Sequence, residues 1–140
     1  MTSSSTIRDK RGGRTILVVD DEPGMLQYIR RVLEHSNHTV LTSSSGEHAW
    51  GIVRRSQAKL DLVLTDIIMP GSIDGPTLAR RIERRYKKLP VLFMTGALPE
   101  NDEQTVEMTR KRRLLRKPFS PQQLVEFIDS HFGESGAQSK

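Results

Sequence analysis

The chain has 140 residues, no cysteine and a formal net charge of +5 at pH 7. This length suits one domain with a core of its own, and the lack of cysteine excludes disulfides, thiolate metal sites and cysteine nucleophiles. No apolar run approaches the length of a membrane span, and the first residues lack the apolar core of a signal peptide. We therefore expect a cytoplasmic protein that makes no membrane contact.

Both ends of the chain differ in composition from its middle. Residues 1–14 hold four cations against one acid and are rich in serine and glycine, which is typical of disorder. We expect a disordered basic arm over residues 1–14, a folded domain over residues 15–132 and a flexible tail over residues 133–140. Without the arm and the neutral tail the domain carries a charge of only about +2, so charge alone does not predict nucleic-acid binding.

Five apolar, β-branched segments alternate with five segments of helical periodicity. The strands are predicted at residues 15–20, 38–42, 60–66, 90–95 and 113–117. The helices are predicted to begin at or just after Pro23, Ser44, Gly75, Asn101 and Ser120. Ser44 with Glu47, and Ser120 with Gln123, have the spacing of capping boxes, and Gly133 is predicted to end the last helix.

This alternation predicts an α/β fold in which helices cover both faces of a doubly wound, five-stranded parallel sheet. Ligands of such sheets bind at the carboxyl ends of the strands. The fourth helix, at residues 101–111, has Val106 and Met108 as its main apolar anchors. Because few apolar contacts hold it, we expect low local stability there.

Polar side chains occupy the carboxyl ends of four predicted strands. Asp20 ends the first strand and Asp21 follows it, Asp66 ends the third, Thr95 ends the fourth and Lys117 ends the fifth. Each has a simple structural explanation alone, as a cap, a turn residue or an exposed cation, but together they indicate one site. Carboxylates are ligands that Mg²⁺ prefers, and an ammonium group can neutralise phosphoryl oxygens. The pattern predicts Mg²⁺-assisted phosphoryl transfer to Asp66.

Four motifs at these strand ends resemble the receiver domain of bacterial two-component response regulators. They are Val-Asp-Asp-Glu-Pro at 19–23, Thr-Asp-Ile-Ile-Met-Pro-Gly at 65–71, Met-Thr-Gly-Ala at 94–97 and Arg-Lys-Pro-Phe at 116–119. The resemblance covers about residues 15–132. It implies the strand order 2-1-3-4-5 with five helices, and a Lys117–Pro118 peptide that is commonly cis.

The resemblance also implies how the site works. Asp66 would accept a phosphoryl group from the phosphohistidine of a histidine kinase or of a histidine phosphotransfer protein. Asp21, Asp66 and the backbone carbonyl of Ile68 would bind Mg²⁺ directly, and Asp20 would do so directly or through water. Thr95 and Lys117 would contact the phosphoryl oxygens.

Such a domain is not an enzyme acting on other molecules, because it catalyses only its own phosphorylation and slow dephosphorylation. It would signal through changed contacts with a downstream protein, and the resemblance leaves a homodimer open.

The chain departs from the family pattern at three positions. Leu114 stands where the family usually has an aromatic switch residue, which weakens the usual relay from Thr95. Ile68 and Ala97, two residues after Asp66 and Thr95, cannot orient a water molecule by hydrogen bonding. We therefore expect slow self-dephosphorylation.

Two alternative functions stay open. The chain could be the receiver of a hybrid histidine kinase, which passes phosphate to a histidine phosphotransfer protein. It could instead be a nucleic-acid-binding module that uses the basic arm and the cations at 110–117, although these cations also suit a charged edge strand. The cations of the third helix are predicted to be a solvated face, and Trp50 is predicted to serve helix packing.

Overall fold

The computed structural model of the protein describes residues 13–56, 58–96 and 102–138. Most of the predicted basic arm, the Ala97 position and the last two residues lie outside this range. Within it, five strands alternate with five helices, as predicted. In chain order these are β1 Thr15–Val19, α1 Pro23–His35, β2 Thr39–Ser43, α2 Gly46–Ser56, β3 Leu62–Asp66, α3 Gly75–Arg85, β4 Val91–Thr95, α4 Glu103–Arg110, β5 Leu114–Arg116 and α5 Pro121–Gln138.

The strands form one parallel sheet in the order β2-β1-β3-β4-β5, which confirms the predicted topology. The residues of β3 and β4 are buried throughout, as expected for central strands covered on both faces. The register pairs Val19 with Thr65 and Asp66 with Met94. The carboxyl ends of β1, β3 and β4 therefore meet at one edge of the sheet.

Alternate side chains of each strand enter two separate apolar layers, because successive residues of a strand point to opposite faces. Leu17 and Val19 of β1 pack with residues of α2, α3 and α4 on one face. Ile16 and Val18 pack with residues of α1 and α5 on the other. Among the described residues, no helix is both long and apolar enough to cross a membrane.

Two predictions about helix ends are wrong. The cap of α2 is Ser45 and not Ser44, since the hydroxyl of Ser45 accepts a hydrogen bond of 3.1 Å from the backbone N–H of His48. The helix α5 does not end at Gly133 but continues to Gln138. A glycine lowers helix stability by only about 1 kcal/mol, which does not by itself end a helix.

The start of α5 follows the prediction. The backbone N–H of Gln123 donates to the hydroxyl of Ser120 at 3.0 Å, and the side chain of Gln123 accepts from the backbone N–H of Ser120 at 2.8 Å. This reciprocal pair is the predicted capping box.

The anchoring of α4 differs from the prediction at one residue. Met108 is buried as expected, but Val106 is 44% exposed and the buried neighbour on this helix is Thr105. The side chain of Asp102 caps the helix by accepting from the backbone N–H of Thr105 at 3.1 Å. A single large apolar side chain therefore ties α4 to the layer beneath it, so the low local stability of this helix stays a prediction.

Arg14 lies at the predicted border of the basic arm but makes contacts of the folded domain. Its backbone carbonyl accepts from Thr39 N–H at 2.8 Å, and its own N–H donates to Nδ1 of the buried His38 at 3.0 Å. Its guanidinium group lies 4.4 Å from the ring centroid of Phe132 in α5. Arg14 thus joins the start of β1 to the last helix.

Candidate functional site

Three aspartates meet at the carboxyl edge of the sheet. Asp20 follows β1 directly and is fully buried, Asp66 is the last residue of β3 and is 8% exposed, and Asp21 faces solvent. One carboxylate oxygen from each lies within 4.8 Å of the others. A cluster of hard oxygen ligands with one side open to water has the ligand chemistry that Mg²⁺ prefers. The predicted Asp20, Asp21 and Asp66 therefore fit a metal site.

The ammonium group of Lys117 links two of these acids. Its Nζ lies 2.9 Å from Oδ2 of Asp20 and 3.1 Å from Oδ2 of Asp66. The other oxygen of Asp20 accepts from the backbone N–H of Glu22 at 2.9 Å. Two buried carboxylates that would otherwise repel each other thus share one cation.

Burial and neighbouring charges both shift the pKa values of Asp66 and Lys117. Burial raises the pKa of Asp66 above its ordinary value, and the negative charge of Asp20 adds to this, against the opposing effect of Lys117. For Lys117, burial disfavours the ammonium form, but the hydrogen bonds and charges of Asp20 and Asp66 outweigh it and raise the pKa. Lys117 therefore stays charged beside the two acids.

The β3–α3 loop is packed closely against Asp66. The backbone carbonyl of Ile67 accepts from Gly75 N–H at 3.0 Å, and Ile67 N–H donates to Met94 O at 3.1 Å. A Cβ atom on Gly75 would lie 2.3 Å from the carbonyl oxygen of Asp66, so only glycine allows α3 to begin this close to the strand end. Ile68, the predicted carbonyl ligand, is 52% exposed and lies two residues after Asp66.

Thr95 lies at the same edge, as predicted. It ends β4, is 1% exposed, and its backbone carbonyl accepts from Lys117 N–H at 2.9 Å. The Lys117–Pro118 peptide that follows is cis, as the resemblance implied. Thr95 and Lys117 are therefore held together by their backbones as well as by their positions at adjoining strand ends.

The two predicted switch residues lie on one face of the sheet. Leu114 pairs with Phe93, and Arg116 pairs with Thr95, so Leu114 and Thr95 are on the same side because alternate residues share a face. Leu114 is partly buried against the apolar layer that includes Met108 of α4. The switch positions thus adjoin α4.

One contact of the site region was missed from the sequence. Glu47 of α2 accepts hydrogen bonds from the backbone N–H and the hydroxyl of Ser72, at 2.7 and 2.6 Å. Gly71, the residue before Ser72, has φ of 98°, a conformation that favours glycine. The hydrogen bond from the Ser72 hydroxyl is the main cause that lowers the pKa of Glu47. The Pro-Gly-Ser sequence at 70–72 indicates a turn. No feature of the sequence predicts that Glu47 of α2 binds this turn.

Comparison with known proteins agrees with this geometry. The family described as response regulator receiver domain matches residues 16–129. The chain is 32% identical over 117 residues to the response regulator GtcR of Aneurinibacillus migulanus, covering 84% of this chain and 47% of that protein. It is 31% identical over 120 residues to the sensor kinase CckA of Brucella abortus, covering 86% of this chain and 13% of that protein.

A solved structure shows the same likeness over its full length. The response regulator receiver domain protein of Clostridium thermocellum superposes with a TM-score of 0.74 at 30% identity, covering 89% of this chain and 98% of that one. The chain spans less than half the length of the two curated relatives named above. The family match covers most of the chain and includes all four strand-end motifs. The chain therefore belongs to the response regulator receiver domain family.

Proposed function

We propose that this receiver domain accepts a phosphoryl group on Asp66 from the phosphohistidine of a histidine kinase or a histidine phosphotransfer protein. The observation that carries the proposal is the position of the Lys117 ammonium, which bonds to both Asp20 and Asp66 beside the three-carboxylate cluster. This arrangement combines a nucleophilic oxygen, a fixed cation and a set of metal ligands at one strand edge.

The residues of this chain would act in the following way. The Asp66 carboxylate attacks phosphorus as the phosphorus–nitrogen bond of the donor breaks, and the electron pair of that bond stays on the imidazole nitrogen. Lys117 remains protonated and faces the charge that develops on the phosphoryl oxygens. Asp21, Asp66 and the backbone carbonyl of Ile68 would hold Mg²⁺ directly, and Asp20 would do so directly or through water; the bound metal would supply positive charge that offsets the repulsion between the carboxylate and the phosphoryl group.

After transfer, the acyl phosphate would decay slowly. Hydrolysis needs a water molecule in line with the new bond, and the exposed side chain of Ile68 beside Asp66 offers no hydrogen bond to hold one. During this lifetime the hydroxyl of Thr95 would contact the phosphoryl group, and changed contacts near α4 would carry the signal to a downstream protein.

The role of a receiver within a hybrid histidine kinase is a second candidate. One specific observation favours it, namely the 31% identity to a segment of the sensor kinase CckA that makes up 13% of that protein. In this role Asp66 would be phosphorylated in the same way, but the phosphoryl group would move on to a histidine phosphotransfer protein.

Mass spectrometry of the chain after incubation with acetyl phosphate and Mg²⁺ tests the proposal. We expect one added phosphoryl group, located on the peptide that contains Asp66, and no addition when the metal is chelated. Labelling of another residue, or equal labelling without metal, would contradict the assignment. A second reaction uses a phosphorylated histidine phosphotransfer protein in place of acetyl phosphate. Net transfer from that protein to Asp66 would support the first role, and net transfer from phosphorylated Asp66 to that protein would support the role in a hybrid kinase.

A further inference from the structure

A group of exposed cations covers the outer surface of α2, α3 and the segment after α3. We call it the α2–α3 basic face, and it consists of Arg54, Arg81, Arg84, Arg85, Lys87 and Lys88, all exposed. Sequence analysis predicted the cations of the third helix to be a solvated face. The structure shows that they share one surface with a cation of the neighbouring helix.

Aromatic rings hold part of this face in place. The guanidinium groups of Arg54 and Arg81 lie 5.8 and 5.9 Å from the ring of Trp50, and that of Arg85 lies 5.7 Å from the ring of Tyr86. The two rings contact each other with their centroids 6.1 Å apart. A guanidinium group at this distance is attracted to the ring, and its planar set of donors suits phosphate oxygens.

The cations form one continuous surface. Trp50, Arg81, Arg84 and Arg85 line a shallow depression of about 270 Å³. A neighbouring depression of about 420 Å³ is lined by Arg85 together with Tyr86, Lys87 and Lys88, among others. Because Arg85 borders both depressions, an extended anion can contact the five cations that line them, and Arg54 adjoins these cations across the ring of Trp50.

Among the described residues, no acid lines either of the two depressions. Glu83 is the only acidic residue between positions 76 and 90, and its carboxylate is bound to Arg113 at 2.7 Å. Within the described part of the chain, none of the six cations forms an ion pair with a carboxylate. The positive charge of the face is therefore available to a partner.

The residue types on this face indicate which class of molecule it binds. A protein interface needs an apolar centre that a partner can cover, but on this face the partly buried rings of Trp50 and Tyr86 already lie against guanidinium groups. The large apolar side chains exposed in the described residues, Leu41, Ile68 and Val106, lie elsewhere. A single nucleic-acid strand needs free aromatic rings for stacking, but Trp50 and Tyr86 lie against guanidinium groups and against each other. A duplex needs only cations along its phosphates.

We propose that the α2–α3 basic face binds the phosphate backbone of double-stranded DNA without sequence preference. Arg54 is in the last turn of α2, and Arg84 and Arg85 are in the last turn of α3. The first residue of α3, Gly75, lies against Asp66. The basic face is thus directed away from the phosphoacceptor edge, and DNA binding leaves Asp66 accessible.

Fluorescence anisotropy with a labelled duplex of arbitrary sequence tests this proposal on the unphosphorylated chain, so its outcome is independent of phosphoacceptance. The expected dissociation constant is on the order of 10⁻⁴ to 10⁻⁶ M at physiological salt. The variant Arg84→Gln, Lys87→Gln, Lys88→Gln removes three charges from the face. We expect at least about tenfold weaker binding at low salt, and a salt dependence whose logarithmic slope is smaller by roughly 0.9 for each lost phosphate contact.

A matched control removes three exposed charges elsewhere, as Arg110→Gln, Arg112→Gln, Arg116→Gln. It has the same net charge as the test variant, and we expect it to keep most of the affinity. Equal losses in both variants would overturn the proposal, because bulk charge or the surface around β5 would then explain binding. Tighter binding of poly-glutamate or of single-stranded DNA than of the duplex would also overturn it and would indicate an acidic protein or a single strand as the partner.

Discussion

The Nζ atom of Lys117 lies 3.1 Å from Oδ2 of Asp66, although the two residues are 51 positions apart and belong to the ends of different strands. The Lys117 side chain is 16% exposed and that of Asp66 is 11% exposed, so water screens this pair only weakly. The cation that would balance an incoming phosphoryl group is therefore in place before the group arrives. This preorganisation is the physical basis of the proposed function.

Removal of this cation should destabilise the fold. Lys117→Met leaves Asp20 and Asp66 close together without their shared partner, and we expect the free energy of unfolding to fall by roughly 1–3 kcal/mol. Urea denaturation at neutral pH without divalent metal measures the change. Lys111→Met is the control, because Lys111 pairs with Glu107 on the surface and should change stability by less than about 0.5 kcal/mol. Equal stability of the two variants would show that the acids do not need Lys117.

Mg²⁺ should stabilise the protein by binding to the folded state. Asp20, Asp21 and Asp66 present the oxygen atoms that would hold it, so the melting temperature should rise with Mg²⁺ concentration and fall back when the metal is chelated. Asp21→Ala should abolish most of this rise. Glu22→Ala removes the same charge from the next residue and should keep it. A full Mg²⁺ response in Asp21→Ala would exclude Asp21 as a ligand.

The Glu47–Ser72 contact should make stability depend on pH. The pKa of Glu47 is lowered in the folded state, mainly by the hydrogen bond from the Ser72 hydroxyl, so the folded chain releases this proton more readily than the unfolded chain. The contact therefore stabilises the fold above the ordinary glutamate pKa of about 4.3, and its contribution is lost as the pH falls through the folded value.

We expect Glu47→Gln to be less stable than the wild type at pH 7, with a difference that shrinks steadily below about pH 4.3. Chemical denaturation at a series of pH values measures this difference. Glu126→Gln, which removes the charge of an exposed glutamate of α5, serves as the control for the loss of one surface charge. A Glu47→Gln difference that stays constant down to pH 3 would mean that the contact does not involve the ionised carboxylate.

The response to phosphorylation should be concentrated in α4. Thr95 and Leu114 share the face of the sheet that α4 covers, and α4 is tied down by the single large apolar side chain of Met108. Leu114 is too short to fill the space that an inward movement of Thr95 would open, so the change at Leu114 itself should be small. Amide exchange with and without a phosphoryl mimic measures these changes.

The variant Leu114→Tyr supplies the missing ring and should enlarge the exchange change on β5. Leu115→Tyr, whose side chain points to the opposite face, should not have this effect. Protection changes confined to α1 and α5 in the wild type would contradict the expected path and would place the responsive surface on the other side of the sheet.

The positions of the strands and the site cluster were predictable because their signals are local, whereas the strand order was implied by the family resemblance. Each strand is a short apolar run, and each of Asp20, Asp66 and Lys117 directly follows or ends such a run. Parallel strands bring these ends to one edge whatever the details of packing. The structure accordingly brings together the aspartates and the lysine that the sequence singled out.

Features that depend on tertiary contacts were not predictable. Val106 has the apolar character of an anchor, but the orientation of α4 turns it outward and buries Thr105. Glu47 has the spacing of a capping box, but Ser72 offers it two donors from a loop 25 positions away. Arg54 and Arg81 belong to different helices, and only the packing around Trp50 joins them into one surface.

A comparison of Asp66→Asn with Asp74→Asn for acyl phosphate formation from acetyl phosphate or a phosphorylated kinase shows whether Asp66 is the phosphoacceptor. Asp74 lies at the start of α3, where it caps the helix through the backbone N–H of Thr77, and asparagine caps equally well. We expect no detectable acyl phosphate in Asp66→Asn, with an unchanged circular dichroism spectrum, and wild-type labelling in Asp74→Asn. Wild-type labelling of Asp66→Asn would contradict this assignment.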